Sequence, residues 1–301
     1  MTYINPDIPK FREMFEPLLA ELRLKSVAEQ RAIFDAQMEQ IPLAENCTAE
    51  TLDLSGVPAE KIVHPDAVPG KVLLYLHGGG YAVGSLKSHR HLVSRFAVAA
   101  HVTGYHLDYR LSPEHPYPAA LEDAEKAYRQ LLASGIAPEN LVVGGESAGG
   151  NLASALLLKA KAEGLPQPAG LYLLSPWLDM STTGASYDTV GSRDVVSSRE
   201  IMDAYTAAFL NGQPDDSFTS PVRADLDGLP PILIQVGTEE VLLSDSLSFA
   251  NRSSLAGLET RLHVWPEMPH IWPLFHPFIR AGLSAIDEAG QWMRQRLLIA
   301  S

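Results

Sequence analysis

The chain has 301 residues, 46% of them apolar, and a formal net charge of −13. That length and apolar content supply one sizeable core plus a lid. The acidic balance argues against nucleic acid, whose binding depends on clustered Lys and Arg. The only cysteine, Cys47, leaves no internal disulfide framework and fits a reducing cytoplasm. The start, Met1 to Asp7, has no basic stretch followed by an apolar one, and no run reaches bilayer length. The expectation is a cytoplasmic protein without membrane or nucleic-acid partners. Nothing repeats internally.

Residues 1–45 carry helical spacing. Phe11, Met14, Phe15, Leu18 and Leu19 recur at threes and fours, as do Ile33, Phe34 and Met38, which predicts two amphipathic helices. Two antiparallel edge strands are expected around Thr51–Leu54 and Glu60–Val63. Val72–Leu76 reads as a fully buried strand, and it ends in His77-Gly78-Gly79-Gly80-Tyr81. Three glycines after a strand let the backbone approach a ligand and turn its N–H groups inward, as an oxyanion hole requires. His77 is read as holding that loop in shape rather than as a base. His89-Arg90-His91 resembles a metal pair, but on a helix the two imidazoles point apart and no third ligand is evident, so no metal is expected. The proline-rich stretch Arg110–Ala120 reads as a rigid scaffold beneath the glycine loop, with Glu114 and His115 outside the chemistry.

A second apolar run, Leu141-Val142-Val143, leads into Gly145-Glu146-Ser147-Ala148-Gly149 and then an apolar helix. A serine between a buried strand and a helix sits on a sharp turn with its hydroxyl exposed, and flanking glycines remove the Cβ clashes. Ser147 is therefore the candidate nucleophile. Strand and helix alternate to residue 176, which predicts parallel strands with crossover helices. A long interval before the next strand, Ile232–Val236, holds a helix near Ser198–Leu210 whose Ser-Ser-Arg-Glu start resembles a capping box.

Elbow and glycine loop together are a pairing found in lipases and esterases, whose triads run serine, acid, histidine along the chain. Only His263, His270 and His276 follow Ser147. His263 alternates within the strand Thr260–Trp265, whereas His270 lies in the loop after it and is the candidate base. Glu239, Glu240 and Asp245 compete for the acid in the loop after Ile232–Val236. Glu240 is preferred because its position turns toward His270. Asp245 reads as the cap or first turn of the next helix and stays as the alternative, and Glu239 reads as solvated.

These residues resemble the hormone-sensitive-lipase-like family of microbial esterases, a branch of the α/β-hydrolase superfamily. The matching stretches are His77–Tyr81, Asp108–Ala120, Gly145–Asn151, Leu174-Ser175-Pro176, Gly228–Pro231, the acid loop and Glu267–His270. The family usually has Asp where Glu240 stands, and Asp before its serine where this chain has Glu146. The resemblance implies an α/β-hydrolase fold: a mostly parallel central sheet flanked by helices, with a helical cap. The expected division is cap helices over 1–45, core over 46–180, a cap insertion over 181–225, and core over 226–301. It also implies a serine hydrolase acting on carboxylic esters, for which the apolar residues flanking the motifs suit short to medium acyl chains, or a lactonase opening ε-lactones with the same triad. A small-ligand receptor with a dead site is the reading from another class, and the retained His270 weighs against it. The triad is Ser147, Glu240 and His270, and the oxyanion donors are the N–H groups of Gly78, Gly79 and Ala148, with Gly80 as a substitute. Tyr81, Val83, Leu178, Ile271 and Trp272 are candidate pocket walls beneath Phe34 and Met202. No cofactor is expected. The partner is a small ester or lactone, and a homodimer is left open.

Overall fold

A computed structural model describes residues 5–300. Two helices lead the chain, α1 (Asp7–Leu22) and α2 (Val27–Met38), followed by β1 (Thr48–Asp53), β2 (Pro58–Val63) and β3 (Val72–Leu76). Then come α3 (Leu86–Ala100), β4 (Thr103–Leu107), α4 (Ala119–Ala133), β5 (Leu141–Glu146), α5 (Ala148–Ala162) and β6 (Gly170–Leu174). Two helices, α6 (Ser186–Thr189) and α7 (Arg199–Leu210), precede β7 (Ile232–Gly237), α8 (Leu243–Leu255), β8 (Thr260–Trp265) and α9 (Ala281–Arg296).

Among the described residues eight strands form one sheet in the order β1-β2-β4-β3-β5-β6-β7-β8. β2 pairs antiparallel with both β1 and β4, and every pairing from β4 to β8 is parallel. The chain has the α/β-hydrolase fold. Central strands such as Val72-Leu73-Leu74-Tyr75-Leu76 are apolar throughout because helices cover both faces of a parallel sheet. Alternate residues divide between the layers. Leu74, Leu76, Val143 and Ile234 pack with α4, α5 and α8, while Leu73, Tyr75, Val142 and Leu233 pack with α3 and α9.

The parallel register brings the carboxyl ends of the strands level. Leu76 lies opposite Gly145, Glu146 opposite Leu174, Leu174 opposite Gln235, and Gly237 opposite Trp265. Loops leaving these ends share one edge of the sheet, where open α/β folds bind ligands. α1 anchors through Phe11 and Phe15, whose rings pack on Phe275. At α7 the cap is simpler than the sequence pattern predicts. Ser198 is the N-cap and accepts the Ile201 N–H, so Glu200 is one position too early to complete a capping box.

Candidate active site

Ser147 sits between β5 and α5 with φ 53° and ψ −120°, a conformation that non-glycine residues seldom adopt. Its amide donates to Leu174 O at 3.0 Å, and its carbonyl accepts from Trp177 N at 3.0 Å. Gly149 allows this turn to pack against β3, because a Cβ there would lie 2.0 Å from Leu76 O.

The structure brings Ser147, His270 and Glu240 together from three separate strand ends. Ser147 Oγ is 3.0 Å from His270 Nε2, and His270 Nδ1 is 2.8 Å from Glu240 Oε2. Glu240 is fully buried, and its second oxygen accepts the Gly237 N–H at 2.5 Å and the Ser175 hydroxyl at 2.9 Å. Ser175 also accepts the Ile271 N–H at 3.2 Å, so it ties the acid loop to the histidine loop. Burial alone would lower the pKa of His270. The Glu240 hydrogen bond and charge, joined by the charges of Asp194 and Glu146, outweigh it and hold the imidazole above its ordinary value.

The competing residues go elsewhere. Asp245 lies in the first turn of α8, but its Oδ2 accepts the N–H groups of Leu178 and Asp179 at 2.8 and 2.9 Å rather than those of its own helix. Burial pushes its carboxyl up to about 8. Glu239 pairs with Arg193 at 2.7 Å and is less exposed than a free surface carboxylate. His263 pairs with Glu288, and His276 accepts from Arg95 Nε at 2.8 Å.

The glycine loop requires a correction. The Gly78 N–H donates to Glu146 Oε1 at 2.5 Å, so the expected oxyanion donor is already occupied. The longer side chain of Glu146 reaches this amide and also meets His89 Nε2 at 2.9 Å. The N–H groups of Gly79, Gly80 and Ala148 find no acceptor among the described residues. Gly79 and Gly80 also line the pocket, so the pair of loop N–H groups left open there is one residue on from the expected pair. Gly79 needs its glycine, having φ 106° and a would-be Cβ 2.2 Å from Val83 O. His77 is buried, and Nδ1 is 2.7 Å from Gly78 O. Burial, helped by neighbouring His89, pushes it down to about 3, so it stays neutral. Behind it, Tyr109 donates to His77 O at 2.5 Å and the Ser112 N–H donates to Tyr81 O at 2.8 Å. The stretch after Asp108 thus supports the loop. His91 turns away from His89 and packs against His276.

Above Ser147 and His270 lies a mainly apolar pocket of about 130 Å³. Val83 and Ile271 line it, together with Phe34 and Met202. Tyr81, Leu178 and Trp272, expected as walls, do not. Tyr81 stacks on Phe209 at 3.8 Å and donates to Asn151 Oδ1, Leu178 is fully buried in the core, and Trp272 packs against Trp265. The walls missing from the sequence reading are Leu19 and Leu22 of α1, Val196, and Ile201 and Tyr205 of α7. None carries a local motif. The helical spacing of Leu19, Leu22, Ile201 and Tyr205 marks apolar faces without saying what those faces cover, and Val196 lies between α6 and α7 with no periodic pattern around it.

A family model described as alpha/beta hydrolase fold matches residues 73–274. An acetyl-hydrolase from Streptomyces hygroscopicus is 38% identical over 96% of this chain and 97% of its own length. An esterase from Acinetobacter venetianus is 33% identical over 87% of each chain. The crystal structure of an esterase from the bacterial hormone-sensitive lipase family superposes with a TM-score of 0.92 at 39% identity, covering 98% of this chain and all of that one. A crystal of EstE5 soaked with p-nitrophenyl butyrate gives 0.89 at 37% identity, covering 98% of this chain and 100% of that one. With fold, family model and near full-length relatives in agreement, the chain belongs to the hormone-sensitive-lipase family of α/β hydrolases.

Proposed function

We propose that this protein is a carboxylesterase that transfers the acyl group of a short to medium ester to water through Ser147. The observation that carries this reading is the unbroken line from Glu240 through His270 to Ser147 Oγ, at 2.8 and 3.0 Å, beneath an apolar pocket. Related proteins named acetyl-hydrolase and esterase support it.

Glu240 keeps the proton of the neutral imidazole on Nδ1, which leaves Nε2 free to accept from Ser147. As Oγ attacks the ester carbonyl, His270 takes the hydroxyl proton and Glu240 stabilises the imidazolium. The tetrahedral oxyanion is received by the N–H groups of Gly79, Gly80 and Ala148, each donor being worth roughly a hundredfold or more. His270 then protonates the leaving alcohol, and water repeats the sequence on the acyl-serine. A pocket of about 130 Å³ is small beside the several hundred Å³ typical of sites for larger ligands, which favours short acyl groups.

The test is a p-nitrophenyl ester series run beside ε-caprolactone opening, with Ser147→Ala as the blank. Hydrolysis should peak at short chains and vanish in the variant. A peak beyond about ten carbons, or an active Ser147→Ala protein, would overturn the reading; a dominant caprolactone rate would reassign the same machinery to lactones. Organophosphate labelling of Ser147 separates an enzyme from a receptor, because a site without a working base labels poorly.

A further inference from the structure

Between α6 and α7 the chain forms a strap, residues 191–198, that touches the cap on one side and the acid loop on the other. Arg12 of α1 and Arg23 just after it donate to its carbonyls, Arg12 to Arg193 O at 2.7 Å and Arg23 to Val195 O at 3.0 Å. The buried side chain of Asp194 faces the other way. Its Oδ1 accepts the N–H groups of Val196 and Ser197, both at 2.9 Å, and its Oδ2 accepts the Val241 N–H at 2.8 Å. Val241 follows Glu240 directly, while Val196 and Ser197 line the pocket. One carboxylate therefore fixes both a pocket wall and the backbone that carries the proposed triad acid.

We propose that Asp194 is a positioning residue that locks the cap strap to the Glu240 loop and, through it, holds the proposed triad acid against His270. This rests on the esterase reading above. Three carboxylates act on His270 from three elements: Glu240 from the loop after β7, Asp194 from the strap and Glu146 from the end of β5. Each favours the imidazolium, so removing one makes His270 a weaker base that stays neutral to lower pH. Asparagine at 194 removes the charge. It also sets an amide NH₂ against one of the N–H groups that the carboxylate now receives, loosening either the strap or the acid loop.

The experiment measures kcat and KM for p-nitrophenyl butyrate across pH in Asp194→Asn and Asp194→Ser, with rates normalised to active sites titrated by an organophosphate. Normalisation restricts the comparison to folded enzyme, and the smaller serine variant carries the test if the asparagine variant folds poorly. The acid limb of kcat/KM should move to lower pH, because a charge that favours the imidazolium is gone. kcat should fall roughly tenfold, with a smaller change in KM, because misplacing the acid affects the chemical step. Glu239→Gln breaks the strap's outer pairing with Arg193 and should leave the acid limb in place. An acid limb unmoved in the Asp194 variants, whatever happens to Tm, overturns the proposal. A wild-type protein with no ester turnover would instead overturn the esterase reading, so the two failures are distinguishable.

Discussion

Glu240→Gln is the sharpest test of the proposed triad, because the structure dictates how the amide must sit. Glu240 Oε1 receives two donors, the Gly237 N–H at 2.5 Å and the Ser175 hydroxyl at 2.9 Å. An amide oxygen satisfies both. The flipped amide would set an NH₂ against the buried Gly237 N–H, and an unpaired buried donor costs about 1–3 kcal/mol. The variant's NH₂ therefore faces His270 Nδ1, where Oε2 now lies at 2.8 Å. The ring must then accept at Nδ1 and carry its proton on Nε2, pointed at Ser147, so the base is lost with its geometry intact. In a Ser-His-Asp site the corresponding change lowers kcat about 10⁴-fold, or roughly 5.5 kcal/mol of barrier. KM should barely change, since Glu240 does not line the pocket. Steady-state kinetics with p-nitrophenyl butyrate, normalised to active sites, read both constants. A loss below about tenfold would refute the assignment, as would a larger loss in Asp245→Asn.

The kcat/KM profile should lose activity as pH falls through a pKa above the ordinary imidazole value of 6.5, because His270 must be neutral and its surroundings favour the charged form; an acid limb below 6.5 would contradict this. Asp245 is protonated in the fold up to about 8 but ionises near 3.8 when unfolded, so the unfolded state binds fewer protons between those values. Stability should fall with rising pH across that window, by up to about 1.4 kcal/mol per unit from this group. Asp245→Asn should flatten the slope in denaturant titrations, and an unchanged slope would refute the attribution. Gly79→Ala meets both a positive φ and the Val83 carbonyl, so kcat should drop at least about a hundredfold with the far-UV spectrum retained. Tyr205→Ala should raise hexanoate turnover relative to butyrate by opening the pocket wall; an unchanged ratio would place the acyl chain elsewhere.

The fold and the candidate triad were legible because both are written in short local signals. Apolar runs such as Val72–Leu76 announce buried strands, and glycine clusters at their ends announce turns that a Cβ would block. Parallel register then brings the ends level, so residues far apart in sequence meet without any long-range signal. Facing is harder to read. Tyr81 and Trp272 adjoin motif residues, yet each turns into the core, because a positive φ at Tyr81 and at Ile271 redirects the chain. Gly78 looked like an oxyanion donor because nothing local shows that Glu146, a methylene longer than the usual Asp, takes its N–H. Asp194 reaches Val241 across 47 residues, and Ser175 reaches Glu240 across 65 and Ile271 across 96, links that no spacing rule reveals.

The division of labour between sheet and cap follows from how each is held. The proposed reacting groups leave strand ends paired along a continuous sheet, whereas the pocket walls Leu19, Phe34, Val196 and Tyr205 come from helices and a strap laid over that edge. The cap is fastened by arginines to main-chain carbonyls. Arg23 reaches Val195 O, and Arg31 reaches Ala82 O and Ser112 O at 2.7 and 2.9 Å while pairing with Glu114. Ala82 follows the glycine loop closely, so α2 bears on the proposed oxyanion donors as the strap bears on Glu240. A pocket wall can therefore change identity without moving the nucleophile, whereas loss of a fastening such as Arg31 reaches the donors themselves. Arg31→Ala should thus lower kcat for short and long esters alike, which separates a fastening from a wall. A selective loss on long esters alone would instead make Arg31 part of the binding surface.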